Sequence, residues 1–331
     1  MNVYAIGFFL MGMFSAGSAN GEPASHPVKD HTRTATITHH YAEVNGIRLH
    51  YARAGTGKKL ILFLHGFPEF WYAYKNQLET FGEDYTAVAP DMRGYNLSDK
   101  PKPVEQYAVG IVVEDIRQLA QKLGFNTFTL VGHDWGGAIA WAFAIAHPAH
   151  LDRLVIINAP HPAVFGRELT QDTLQQKASQ YMLLFRSPQA EARLAADNYK
   201  LLRNAVLAKG LQTGYFTEAD EKAYVAAWSQ PGALTGGLNY YRAAKLGPNE
   251  PGTTTVESAP GSGASRFQVS VPTLVIWGEQ DNALVINNLT GLDQYVPRLT
   301  VKRIPEGSHW VIHEQPELVN QFIRDFIRHE R

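Results

Sequence analysis

The residues best placed for chemistry are seven in a row, Val131-Gly132-His133-Asp134-Trp135-Gly136-Gly137. They follow an apolar, strand-like run and open a run of helix formers, with glycine two positions to either side of Asp134. Glycines there let a strand turn into a helix so sharply that the residue between them is presented alone. In this chain that residue is an aspartate. A carboxylate of ordinary pKa is ionised at neutral pH and needs no base to make it a nucleophile. Attack on a saturated carbon would leave an alkyl ester on the protein, whereas attack on a carboxylic ester would leave a labile anhydride. Serine-type esterase and lipase chemistry is therefore disfavoured.

Clearing an alkyl ester takes water and a base. Gly307-Ser308-His309-Trp310 follows the last strand-like run, which puts His309 on a loop at the carboxyl edge of a sheet. Trp277-Gly278-Glu279-Gln280-Asp281 follows the run before it and offers Asp281 to orient the imidazole, with Glu279 as the competing acid. His133, His161 and His313 read as structural. His65-Gly66-Phe67-Pro68 follows the early run at 60–64. A loop at that place can aim a backbone N–H at the oxyanion formed when water adds to an ester, together with the amide after the nucleophile. Pro68 has no N–H, so these donors are assigned to Phe67 and Trp135, and a cis Phe67–Pro68 bond is expected.

Such residues need a frame. Short apolar or β-branched runs occur at 60–64, 85–89, 127–131, 154–157, 273–276 and 299–304. Several are continuously apolar, as in strands covered on both faces. A helix at 137–146 stops at His147-Pro148, and another at 317–328 repeats Leu318, Phe322 and Phe326 at helical spacing. Strand–helix–strand units of this kind imply an α/β fold with a doubly wound, mostly parallel sheet. From 161 to 265 the strand pattern stops. Helices are expected there at 172–185, 188–208, 217–228 and 239–245, with Thr217 as an N-cap before Glu218, Asp220 and Glu221. The segment 248–265 is rich in Gly, Thr, Ser and Pro and reads as an exposed connector. The expected organisation is a core in two parts, 39–160 and 266–331, with a helical lid at 161–265 inserted between them.

At the front, an apolar run from Val3 to Phe14 ends in small residues through Ala19, which reads as an export signal over 1–19 and a periplasmic or secreted protein. Residues 20–38 read as a flexible lead-in. The chain of 331 residues carries 30 Lys+Arg against 31 Asp+Glu, which leaves no electrostatic footprint for nucleic acid or an anionic membrane. The absence of cysteine removes disulfides, thiolate metal sites and cysteine nucleophiles together. No cluster of ligands suggests a metal or cofactor. The oligomeric state is left open, a homodimer included.

Taken together, the motifs resemble the α/β-hydrolase superfamily and, within it, the epoxide hydrolases, over about residues 40–330. The resemblance rests on His65-Gly66-Phe67-Pro68-Glu69 with Trp71-Tyr72, Asp91-Met92-Arg93-Gly94-Tyr95 with Ser98, Gly132-His133-Asp134-Trp135-Gly136-Gly137, and Gly307-Ser308-His309-Trp310. The order nucleophile, acid, base is the one this superfamily uses. The resemblance implies two tyrosines from the lid that hydrogen-bond the epoxide oxygen. Leu238-Asn239-Tyr240-Tyr241-Arg242 matches the family's second tyrosine stretch and assigns the role to Tyr241, while Tyr181 stands where the first should lie. It also implies a small epoxide and water as the reacting partners. Trp71, Met182, Leu183, Phe185 and Trp310 are expected to line an apolar or aromatic substrate pocket.

Haloalkane dehalogenases share the fold, the aspartate and the following tryptophan. They commonly hold the halide with that tryptophan plus a second tryptophan or an asparagine, and here Phe67 occupies the position of the asparagine. Fluoroacetate dehalogenases clamp a carboxylate with arginines after the nucleophile, where this chain has Trp135 and Ala138. A hydrolase-fold protein that binds without turnover is the remaining alternative, against which stands the complete set of expected residues.

Overall fold

The computed structural model describes residues 35–248 and 264–328. The expected export signal, the lead-in up to residue 34 and most of the connector lie outside the described residues. Strands β1 (Ile37–Val44) and β2 (Ile47–Ala54) form an antiparallel hairpin at one end of the sheet. They had no counterpart among the expected strands, and β1 starts inside the stretch read as a lead-in. β1 is largely solvent-exposed, so the apolar pattern that betrays a strand is missing from it. Asn45 and Gly46 both have positive φ, 46° and 76°, as the Asn-Gly pair of a tight hairpin requires.

Beyond the hairpin come β3 (Leu60–Leu64), α1 (Lys75–Phe81), β4 (Thr86–Pro90), α2 (Val109–Lys122), β5 (Phe128–His133), α3 (Trp135–Ala146) and β6 (Leu151–Ile157). After the insertion the chain resumes with β7 (Thr273–Gly278) and β8 (Leu299–Ile304). The eight strands are ordered β1-β2-β4-β3-β5-β6-β7-β8, and every pair from β4 to β8 is parallel. β3, β4, β5 and β7 are buried along their whole length, which is why they read as unbroken apolar runs. The sheet thus ends its central strands, at their carboxyl edge, on the loops that carry the chemistry.

The insertion between β6 and β7 is helical throughout its described part: α4 (Pro162–Gln171), α5 (Thr173–Ala178), α6 (Tyr181–Arg186), α7 (Ala190–Leu202), α8 (Ala208–Thr213), α9 (Glu218–Trp228) and α10 (Ala233–Ala244). The single helix expected at 172–185 is two, broken at Ser179 and Gln180. The helix expected at 188–208 is interrupted at Ala196–Tyr199, where Asp197, Asn198 and Tyr199 take left-handed backbone. The chain closes with α11 (Val311–Glu314) and α12 (Pro316–Arg328). On α12 the buried face is Val319, Ile323 and Ile327, one residue along from the expected stripe, and Leu318 is 37% exposed. The branched aliphatics pack flat against the sheet, and the bulkier Phe322 and Phe326 take the edge of the groove, Phe322 beneath the Lys302 ammonium. No helix among the described residues is long and apolar enough to cross a membrane.

Thr217 caps α9 as expected. It accepts from the Asp220 amide at 3.3 Å while the Asp220 carboxylate accepts from the Thr217 amide at 2.7 Å, a reciprocal capping box. Asp220 also pairs with Lys75 and accepts from the Tyr72 hydroxyl, which ties α9 to the core. Replacing Thr217 by Ala should cost about 1 kcal/mol and lower the thermal midpoint by about 2 °C, read by calorimetry. An unchanged midpoint would mean that the cap adds nothing to stability.

Candidate active site

β5 delivers the chain to Asp134 and α3 leaves from it. Asp134 has φ 52° and ψ −122°, a backbone that a non-glycine residue adopts only when its surroundings enforce it. The enforcement is steric. A Cβ on Gly136 would stand 2.0 Å from the Leu64 carbonyl oxygen, and one on Gly66 would stand 2.4 Å from the Asp134 Cβ. The strand-to-helix turn and the β3 loop therefore interlock, with the Asp134 carboxylate between them.

That carboxylate has two neighbours of opposite kind. The Phe67 N–H donates to its Oδ1 at 2.9 Å. Its Oδ2 lies 3.7 Å from His309 Nε2. The Trp135 amide is the first of α3, where N–H groups have no partner within the helix. The Phe67–Pro68 bond is cis. Behind the imidazole, His309 Nδ1 donates to Asp281 Oδ2 at 2.7 Å. Asp281 Oδ1 accepts from the Ala283 and Leu284 amides, each at 2.8 Å, and its Oδ2 also accepts from the Asn158 side chain at 2.8 Å. The competing Glu279 faces outward and pairs with Arg303.

These contacts set the proton inventory. Burial works against a charged His309, but the Asp281 carboxylate, with Asp134 and Glu69 nearby, outweighs it and raises the imidazole to about 9. Burial likewise works against the Asp281 carboxylate, and His309 with the surrounding donors holds it below its ordinary value. In this buried row of carboxylate, imidazolium and carboxylate, the central cation offsets one of the two negative charges and lies beside both.

Asn158 was not found from sequence. It lies just past the end of β6 with φ 40°, and it also bonds Gly278 through both its N–H₂ and its carbonyl. An asparagine directly after an apolar strand, before Ala159-Pro160, was the available signal. Glu69 was quoted only as part of a motif, yet it is fully buried and gathers three segments. Its Oε1 is met by His313 Nε2 at 2.6 Å and by the Tyr224 hydroxyl at 2.7 Å, and its Oε2 lies 3.4 Å from His133 Nδ1. His133 Nε2 donates to the His309 carbonyl at 2.8 Å, so this cluster underlies the loop that carries the base. His161 is remote from it, bonded to the Phe267 carbonyl and lowered to about 4 by burial.

From the insertion, α6 supplies Tyr181 and α10 supplies Tyr240 and Tyr241. The Tyr240 hydroxyl is spent on the Arg93 carbonyl at 3.0 Å. Tyr241 instead stands with its ring 5.0 Å from Trp135 and 6.4 Å from Tyr181. Burial, followed by the neighbouring phenol and carboxylate charges, pushes both hydroxyls well above the ordinary tyrosine value, so they remain donors. A cavity of about 240 Å³ opens between them, Asp134 and Trp135 at its inner end and runs out past Ala138, Phe165, Met182 and Leu246. Of the side chains expected to line it only Met182 does. Trp71 packs edge-on to His39 and Phe70, Leu183 lies beside Gly247, Phe185 fills the space between Phe67, Tyr181 and Tyr241, and Trp310 packs on His309 and His133. Of these aromatics only Phe185 packs on Tyr181 and Tyr241, and the cavity runs along α3 instead.

Comparison with known proteins agrees with this geometry. Residues 59–316 match a family described as the alpha/beta hydrolase fold. Epoxide hydrolase 4 of Mus musculus is 36% identical over 304 residues, 88% of this chain and 80% of that protein. The crystal structure of an epoxide hydrolase from Bacillus megaterium in complex with an inhibitor is 39% identical, covers 87% of this chain and 100% of its own, and has a TM-score of 0.80. A mutant of that enzyme, complexed with its product, a naphthyloxy-propanediol, has a TM-score of 0.79 at 38% identity.

The raised His309 makes a prediction about stability. A group whose folded pKa exceeds its unfolded value of 6.5 adds stability that is complete below about pH 6.5 and lost as the pH rises through about 9. The difference in unfolding free energy between the wild type and His309→Gln should therefore shrink over that interval, measured by urea denaturation at a series of pH values. A difference constant from pH 6 to 10 would show that the imidazolium is not favoured by the fold.

Proposed function

We propose, from the premise that this chain belongs to the epoxide hydrolases of the α/β-hydrolase fold and hydrolyses epoxides to diols, that it does so through a covalent ester on Asp134. The observation that carries this is the position of the carboxylate: at the inner end of an apolar cavity, between a backbone donor and an imidazole, faced by two phenols. Asp134 attacks the less hindered carbon of the epoxide. The C–O bond breaks, and Tyr181 and Tyr241 donate to the oxygen as its charge develops. The alkoxide takes a proton from one phenol. Alkylation removes the Asp134 charge that helped to hold His309 protonated, so the imidazolium gives up its proton to restore that phenol.

The neutral imidazole, oriented by Asp281, then takes a proton from water, whose oxygen adds to the ester carbonyl. The Phe67 and Trp135 amides stabilise the resulting oxyanion. Collapse releases the diol and returns Asp134 as carboxylate and His309 as imidazolium, so every proton is accounted for. The cavity reaches Asp134, and His309 Nε2 lies 3.7 Å from the Asp134 Oδ2, so the base stands beside the ester it must clear. The apolar cavity wall supports an apolar or aromatic epoxide, and the related Bacillus megaterium enzyme's aryloxy-diol product is in keeping with that. Two phenols at the reacting end favour an epoxide oxygen over a departing halide.

The helical insertion acts as the lid, since it supplies both phenols and roofs the cavity. Residues 1–19 are proposed as an export signal removed near Ala19, which supports a periplasmic or secreted enzyme. The intact mass of the protein recovered from its producing cells should lack those residues; retention of the full apolar run would refute cleavage.

The covalent route is tested with His309→Gln. Mixed with styrene oxide, this variant should accumulate an adduct of one substrate mass on the peptide bearing Asp134, with steady-state turnover reduced at least 10³-fold, and Tyr241→Phe should slow formation of the adduct. Unimpaired turnover by His309→Gln, or label from heavy-oxygen water that never enters Asp134 in the wild type, would end the proposal.

A further inference from the structure

The cavity that reaches Asp134 runs out along α3. Phe67, whose N–H holds the carboxylate, lines no part of it, and the separate void beside Phe67 measures only about 10 Å³, room for one water at most. Phe67, Phe185 and Tyr241 pack against one another there with ring centres 5.1 to 5.7 Å apart. The open arm is built differently. Asp134, Ala138 and Ala142 follow one another at intervals of four residues, so they stack on one face of α3, and all three line the cavity. The rest of the helix is committed elsewhere: Ile139, Ala140, Trp141 and Phe143 are fully buried in the core. Beyond Trp135, α3 contributes only Ala138 and Ala142 to the groove. Its outer end meets the exposed Pro162, Gly166 and Ala244.

We infer that Ala138 and Ala142 determine specificity, and that the substrate is a terminal epoxide bearing a single slender apolar arm laid along α3; this rests on the functional reading above. A helix rises about 1.5 Å per residue, which puts the two alanines about 6 and 12 Å up the groove from Asp134. An extended alkyl chain advances about 1.3 Å per carbon, so these distances match about five and nine carbons. A second arm on the far epoxide carbon has nowhere to go. The arm lies between the alanines and Phe165 and Leu169, which line the same cavity.

The test compares kcat/KM for propene oxide and for the terminal oxides of hexene and dodecene. In Ala138→Leu the ratio of hexene oxide to propene oxide should fall at least tenfold, the scale on which hydrophobic pockets discriminate methylene groups. In Ala142→Leu the ratio of dodecene oxide to hexene oxide should fall tenfold, while the ratio of hexene oxide to propene oxide stays within twofold. Thermal melts report folding, and the valine variants carry the same test if a leucine variant fails to fold. In the wild type, the terminal oxide of octene should be preferred at least tenfold over the oxide of symmetric trans-octene. Equal use of the two isomers, or variants that change all three terminal substrates in the same proportion, would overturn the inference and leave the enzyme an epoxide hydrolase. A wild-type protein that opens none of them would sink the functional reading itself, and the inference with it.

Discussion

The constraint on which the structure depends is a backbone that cannot relax. Asp134 is held at positive φ because the β3 loop and the first turn of α3 approach it too closely for any side chain on Gly66 or Gly136. Such a conformation costs on the order of 1–3 kcal/mol and survives only inside a rigid frame. The frame is the parallel centre of the sheet, whose strands are buried over their full length. What the strain secures is a carboxylate with one oxygen on an amide and the other facing an imidazole, so that the reacting group is oriented before any substrate arrives.

Electrostatics then does what sterics cannot. Three ionisable groups in a row, nearly dry, would be prohibitively costly if each stood alone. They coexist because the middle one is a cation, and because Asp281 is further satisfied by two amides and an asparagine. In the proposed cycle the same arrangement has a consequence: alkylation would neutralise one end of the row and change the proton affinity of the centre. The phenols play the opposite part. Their burial keeps them neutral, which suits the donor role proposed for them.

Much of this was legible in the sequence, for identifiable reasons. Asp134 was readable because a sharp turn demands glycine on both sides, and β3, β5 and β7 because strands covered on both faces are apolar throughout. Asp281 and His309 followed from their places after the last two strands. Tyr241 could be told from Tyr240 only through the resemblance, and the structure gives the physical difference, since the Tyr240 hydroxyl is occupied by the Arg93 carbonyl. What escaped is what pattern does not encode. The exposed hairpin strand β1 has no apolar periodicity, the bends within the insertion come from tertiary packing, and the stripe of α12 that faces the sheet is decided by fit rather than by hydrophobicity. The cavity wall was misjudged for a related reason. Large residues near the site were read as lining, but Trp71, Phe185 and Trp310 pack on other side chains, and the wall along α3 is made by Ala138 and Ala142.

Glu69 has a bearing on how the two sequence blocks can vary. A fully buried carboxylate must keep its donors, and these come from the closing segment at His313, 244 residues away in the chain, and from the insertion at Tyr224, while His133 of the core lies 3.4 Å from its other oxygen. The helical block is consequently not an interchangeable module. A chimera that grafts a relative's insertion onto this core inherits a debt at Glu69 unless the graft brings a phenol to the place of Tyr224, and drift at either position is answerable to the other.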